Sequence, residues 1–312
     1  MFRLMPDLSD DLLLRLYHKG AHVGWTSDDI DWQAPVELSD RESEALARVL
    51  SPVYLGEQSA MLGAANVLPQ LALAGEATGQ LYLSTFLLDE ARHFEVLTRL
   101  YHRLQHDPIA IRKLPAMLRY HHRLRQGDRV DWVFGILVSD LFAKQFYQLF
   151  SKTRQDALFG DMSQRILIDE SRHQAFCDEY LSRALPKLSP QRRTALRDMR
   201  DELLRIMQEM QDALGADAEV LGFSGDDMLA RVAHDIEMHS RRIGLDGGPD
   251  GGGSGTDPSR DPDPVDLAAR RAQREKSQSE PLQSAKDDCD GCGTCALAAI
   301  CESRIVRRAV GR

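Results

Sequence analysis

Two six-residue stretches carry the residue types from which chemistry could be built. Leu88-Asp89-Glu90-Ala91-Arg92-His93 is echoed eighty residues later by Ile168-Asp169-Glu170-Ser171-Arg172-His173. In a helix, residues i and i+3 project from one face, so each copy offers a carboxylate and an imidazole side by side. Two such pairs, joined by one carboxylate from each of two further helices, make the ligand set of a dinuclear metal site in a four-helix bundle. Glu57 and Asp140 supply those two acids, since each falls within an apolar helical stripe, where an unpaired carboxylate is costly. Asp156 and Ser139 compete with Asp140 under another helix register. The predicted metal ligands are thus Glu57, Glu90, His93, Asp140, Glu170 and His173, with Glu57, Glu90 and Glu170 as the catalytic carboxylates. Oxygen-rich ligation with one imidazole per metal suits iron or manganese, and two metals bridged by carboxylates can bind dioxygen between them. Asp89 and Asp169, each preceding a ligand glutamate, are candidates to orient the histidines.

A second set lies near the C-terminus. Cys289, Cys292, Cys295 and Cys301 have the spacing C-x2-C-x2-C-x5-C. The opening follows iron–sulfur runs, and thirteen residues are tight for a two-knuckle zinc site; zinc or an unliganded redox tail are the alternatives. The fifth cysteine, Cys177, stands one turn beyond His173 and reads as a buried, inert thiol.

The elements that must position these residues are helical throughout, giving an all-α chain. Residues 8–19 form a short amphipathic helix. Ser39 and Glu42 make a capping box for a helix with the apolar face Leu46, Leu50, Val53, Met61, Ala64 and Leu68, bent or bounded by Pro52 and Pro69. Helices follow at 77–106, 129–156 and 158–185, the last stopped by Pro186, with a basic connecting segment through 119–125. Two more, at 190–215 and 224–243, are expected outside the four core helices. Residues 1–243 thus form one helical domain. Residues 244–288 are rich in Gly, Asp, Pro and Ser and read as a flexible linker of about 35–40 Å mean reach; residues 289–312 form a small Cys-rich tail.

Composition narrows the function. The chain has 312 residues, 43% of them hydrophobic, which is enough for a sizeable core. A net charge of −9 and a pI near 5.6 argue against general nucleic-acid binding. No apolar run is long enough to span a membrane, and the N-terminal residues lack the pattern of a secretion signal. Clustered cysteines suit a reducing compartment, so a cytoplasmic location is expected.

With these motifs in view, residues 16 to about 185 resemble the ferritin-like superfamily of dimetal-carboxylate proteins, nearest to the ribonucleotide reductase small subunit and related ligand-binding oxidases. Asp-Ile-Asp-Trp at 29–32, Gly56-Glu57-Gln58, both Asp-Glu-x-Arg-His motifs and the 33-residue spacing from Glu57 to Glu90 carry the resemblance. It implies a ferritin-like four-helix bundle with flanking helices and an oxygen-activating diiron or manganese–iron centre. Leu97 stands where tyrosyl-radical reductase subunits have a tyrosine. Ala60 and roughly Gly135 stand where the ligand-binding oxidases form a tyrosine–valine crosslink. The expected function is therefore an oxidase or oxygenase acting on dioxygen and a small organic substrate, with electrons delivered by a C-terminal iron–sulfur cluster or a donor protein. The alternatives are a reductase subunit with a radical route through Trp32, and non-catalytic iron binding. A homodimer is the expected assembly. Arylamine N-oxygenases of this superfamily use an extra histidine ligand, for which His234 is the candidate.

Overall fold

A computed structural model describes residues 8–22, 24–153 and 157–246. Residues from 247 onward, which take in most of the expected linker at 244–288 and all four tail cysteines, Cys289, Cys292, Cys295 and Cys301, lie outside the described residues, as does Asp156. The described elements are helices: α1 (Asp11–Ala21), α2 (Asp40–Ala74), α3 (Ala77–Leu104), α4 (Pro115–Leu124), α5 (Arg129–Thr153), α6 (Ala157–Ala184), α7 (Pro190–Val220) and α8 (Gly225–Arg242), with short 3-10 turns between some of them. None is long and apolar enough to cross a membrane among the described residues.

The helix starts follow local chemistry. Asp10 accepts from the Leu13 amide to begin α1, and Ser39 and Glu42 form the expected reciprocal box at α2. Gly75 closes α2 in the left-handed region, φ +76°, where a Cβ would be strained, and the chain turns directly into α3. The two prolines did not end α2, which runs through both.

The four core helices pack as two pairs, α2 on α3 and α5 on α6. Close approach of α2 to α5 depends on Gly63, where a Cβ would lie 2.7 Å from the Trp132 ring. As expected, the flanking helices pack outside: α1 on α3, α7 on α2 and α4, α8 on α5 and α7.

The segment expected to be a plain connection contains α4. Pro115 sits in its first turn, where the missing N–H costs nothing. Met117, Tyr120 and Leu124 then recur on its buried face. The basic residues that made this stretch look like a loop point outward, Arg119 pairing with Glu209 and Arg123 with Glu202 (2.7 Å) on α7.

The buried apolar residues divide into two clusters. One takes the C-terminal half of α2, the N-terminal halves of α3 and α5 and the C-terminal half of α6. The other takes the opposite halves of the same helices. Glu57, Glu90, His93, Glu170 and His173 fall between the two in sequence on every helix that carries them. The core is interrupted at the level of these side chains.

Candidate metal centre

Six residues predicted from spacing come together in this gap. Glu57, Glu90, His93 and Glu170 have ligand atoms within 4.8 Å of one another, as do Asp140, Glu170 and His173. All six are at most 5% exposed. Asp140, rather than its neighbour Ser139, joins the cluster. Glu170 is common to both groups: its two oxygens lie 3.6 Å from His93 Nδ1 and 3.4 Å from His173 Nδ1. Glu90 Oε1 is likewise 3.2 Å from His173 Nδ1, so Glu90 and Glu170 sit between two halves. Glu57, 3.6 Å from His93 Nδ1, belongs to one half and Asp140 to the other.

Whether this set suits metal ions is decided by its unpartnered atoms. Glu90 Oε1, His93 Nδ1, Asp140 Oδ2, Glu170 Oε2 and His173 Nδ1 are all buried without a hydrogen bond. Five such atoms converging in one interior are unfavourable for a purely structural cluster, and cations resolve the deficit. Four carboxylates against two divalent cations also leave a neutral interior. The residues fit a pair of metals.

Without metal, protons take that place. Burial opposes charge on the histidines, but the carboxylates of Asp169 and Glu57 beside it lift His93 to about 10, and those of Asp89 and Glu170 lift His173 to about 9. Burial and neighbouring acids push Glu90 and Asp140 well above the usual carboxylate range. Burial also works against the charge on Glu57, yet His93 holds it below that range.

The Asp and Arg of each motif form the support. His93 Nε2 meets Asp169 Oδ2 at 3.2 Å and His173 Nε2 meets Asp89 Oδ2 at 3.3 Å. Each aspartate therefore serves the histidine of the other motif. A carboxylate only accepts, so Nε2 carries a proton, and once metal displaces the second proton Nδ1 is the nitrogen left to face the cluster. Arg92 donates to Asp89 and, at 2.8 Å, to Asp169. Arg172 donates to the same two, at 2.7 and 2.9 Å. Two aspartates and two arginines close a neutral ring. Burial opposes the charge on Asp169, but His93 and Arg92 hold its carboxyl far below the usual range.

Cross-pairing of this kind makes a test. Asp169→Asn is expected to weaken metal binding in the Glu57/His93 half about 10–100-fold, and Asp89→Asn in the Asp140/His173 half. Metal titrations of the two variants check this; weakening of the half nearest in sequence would contradict the cross-pairing.

Several sequence expectations move. Trp25, not Trp32, reaches the network: its Nε1 donates to Asp169 Oδ2 at 3.1 Å, and Arg92 lies 4.5 Å over its ring. Trp32 instead donates to the Ser27 carbonyl at 2.6 Å, and Asp29 caps Thr26 in the turn between the two tryptophans. His234 is exposed on α8 and adds nothing to the cluster. Leu97 is fully buried in the apolar core. Cys177 is a fully buried free thiol, raised by burial and by Asp140.

A cavity of about 50 Å³ opens beside the cluster, with Glu57, Glu90, Asp140 and Glu170 in its wall. The rest of the wall is mostly apolar: Val53, Ala60, Met117, Phe142, Met207 and Met210. Tyr120 and Ser139 add two hydroxyls. Met117 and Tyr120 come from α4, the element that sequence reading missed. Its signal was present in Pro115 followed by apolar residues at 117, 120 and 124.

No protein-family model matches the chain. Solved structures do. A variant of an R2-like ligand-binding oxidase with an aerobically reconstituted Mn/Fe cofactor superposes with a TM-score of 0.62 at 18% identity, covering 75% of this chain and 94% of that one. A second variant of such an oxidase gives 0.60 at 17%, covering 76% and 94%. A Synechococcus protein with aldehyde deformylating oxidase activity gives 0.57 at 19%, covering 66% and 92%. The chain has the ferritin-like helical-bundle fold.

Proposed function

We propose that the protein is a dimetal-carboxylate oxidase or oxygenase. Glu57, Glu90, His93, Asp140, Glu170 and His173 would hold two iron ions, or one manganese and one iron. When bound, such a pair supplies electrons to dioxygen and oxidising power toward a small organic substrate. The observation that carries this reading is the convergence of five buried, unpartnered ligand atoms from three helices, beside Glu57 from a fourth. The Mn/Fe cofactor and the oxidase activity of the structural neighbours support it.

The chain's own residues have separable tasks. Asp89 and Asp169 keep the histidine proton on Nε2, and Arg92 and Arg172 keep those aspartates charged. Glu57, Glu90, Asp140 and Glu170 all border the cavity; of these, Glu57, Glu90 and Glu170 would meet substrate and carry its protons. The apolar wall excludes bulk water from the reacting groups.

Residues 1–243 would form the oxidase domain, and 244–288 a tether to the tail. An iron–sulfur cluster on Cys289, Cys292, Cys295 and Cys301 would return electrons to the metals. Iron, manganese, zinc and acid-labile sulfide per chain, measured after anaerobic purification, test both sites, together with dioxygen uptake. About two metals per bundle plus stoichiometric sulfide is the expected result. Zinc alone, or no substrate-linked dioxygen uptake, would remove the oxidase reading. Equal rates of reduction for full-length and tail-deleted protein would remove the tether.

A further inference from the structure

We infer that the cavity binds a small, mostly apolar molecule bearing one hydrogen-bond donor, a hydroxyl or an amine, and that the phenol oxygen of Tyr120 accepts that donor. Calling the molecule a substrate rests on the oxidase reading; the binding preference does not.

The argument follows one proton along a chain of hydroxyls. Ser139 Oγ lies 2.9 Å from the Gly135 carbonyl, one helical turn back, and donates to it. A serine has a single proton. At its 2.9 Å contact with the Tyr120 hydroxyl, Ser139 must then accept, and Tyr120 donates. The phenol proton is committed inside the wall, and a lone pair is what Tyr120 offers to the cavity. Tyr120 is only 4% exposed, so bulk water is a poor substitute partner.

The rest of the lining points the same way. Val53, Phe142, Met117, Met207 and Met210 offer no strong donor, and carboxylates that hold metal ions accept rather than donate. A ketone, ether or carboxylate would set lone pair against lone pair, whereas an alcohol or amine completes the chain. Leaving a buried acceptor facing an acceptor corresponds to a discrimination of roughly tenfold. About 50 Å³ holds only a few non-hydrogen atoms. Larger occupants require Met117, Met207 and Met210 to repack, as their flexible thioethers allow.

The test uses full-length protein loaded with zinc, which is diamagnetic and takes the place of the protons on the cluster, with carbon-13 methyl-labelled methionine, titrated with propan-2-ol and with acetone, which share a carbon skeleton. The signals of Met117, Met207 and Met210, assigned by Met→Leu variants, report occupancy of the cavity. The alcohol is expected to bind about tenfold tighter than the ketone. Tyr120→Phe should erase the preference. Ser139→Ala removes the acceptor of the phenol proton, so Tyr120 can donate to the cavity and the ratio should move toward acetone. Equal affinities in the wild type, no shift at these methionines with either probe, or an unchanged ratio in Ser139→Ala would each overturn the inference. If the preference holds while dioxygen uptake is absent, the oxidase reading falls and the binding site stands. With uptake present and no preference, the inference alone falls.

Discussion

Glu170→Ala protein is expected to carry almost no iron or manganese and to consume dioxygen no faster than buffer. The reason lies in where Glu170 sits. Its oxygens face Nδ1 of both His93 and His173 at 3.6 and 3.4 Å, so one deletion removes a ligand from both halves. Asp140→Ala touches only the His173 half and should leave about one metal bound beside Glu57 and His93. The stability of metal-free protein should fall as well. Burial and neighbouring acids favour the neutral forms of Glu90 and Asp140, while His93 and His173 are held charged beside Glu170. Metal-free Glu170→Gln, which keeps the volume, is expected to melt below metal-free wild type, since it removes the carboxylate facing both imidazoles. Metal analysis and thermal melts of the two variants check the pair of expectations; two metals retained in Glu170→Ala would contradict the shared position.

Metal removal should weaken the fold most at high pH. His93 and His173 are raised from 6.5 to about 10 and about 9, and Glu90 and Asp140 are raised well above 4.5 and 3.8. Groups raised in the folded state contribute stability that is complete below their unfolded values. That contribution is lost as pH climbs through the folded values. For the imidazoles the loss sets in above 6.5 and is complete near 9–10, and it begins lower for the two acids. Cations replace these protons, so loading near neutral pH should release them, and affinity should rise with pH. The gain in Tm on loading is expected to widen steadily from about pH 6 to about pH 9. Melts of chelator-treated and reloaded protein across that range decide it, and calorimetry in buffers of different ionisation enthalpy counts the protons. A gain that shrinks with rising pH would contradict the proton–metal exchange.

The candidate site was largely legible because helix periodicity is a local property. Glu90 and His93, or Glu170 and His173, share a face by backbone geometry alone, and an acid in an apolar stripe is conspicuous wherever the helix lies. Cross-motif contacts were not legible in the same way. Asp89 follows Leu88 and precedes Glu90 in the chain, yet it serves His173 across the bundle. Only the packing of α3 against α6 specifies that partner. The choice between Trp25 and Trp32 was equally a matter of how one short turn directs two indoles. α4 was obscured by its charges, which looked like a polar connection until α7 supplied Glu202 and Glu209 opposite them.

The sequence by itself thus determined a helical chain with two carboxylate–imidazole pairs and two further buried acids, since side-chain spacing along a helix needs no tertiary information. The tertiary structure decided which carboxylates stand between both histidines, which aspartate orients which imidazole, and what lines the space beside them. Those are relations between helices far apart in the chain, set by how their apolar halves pack above and below the gap.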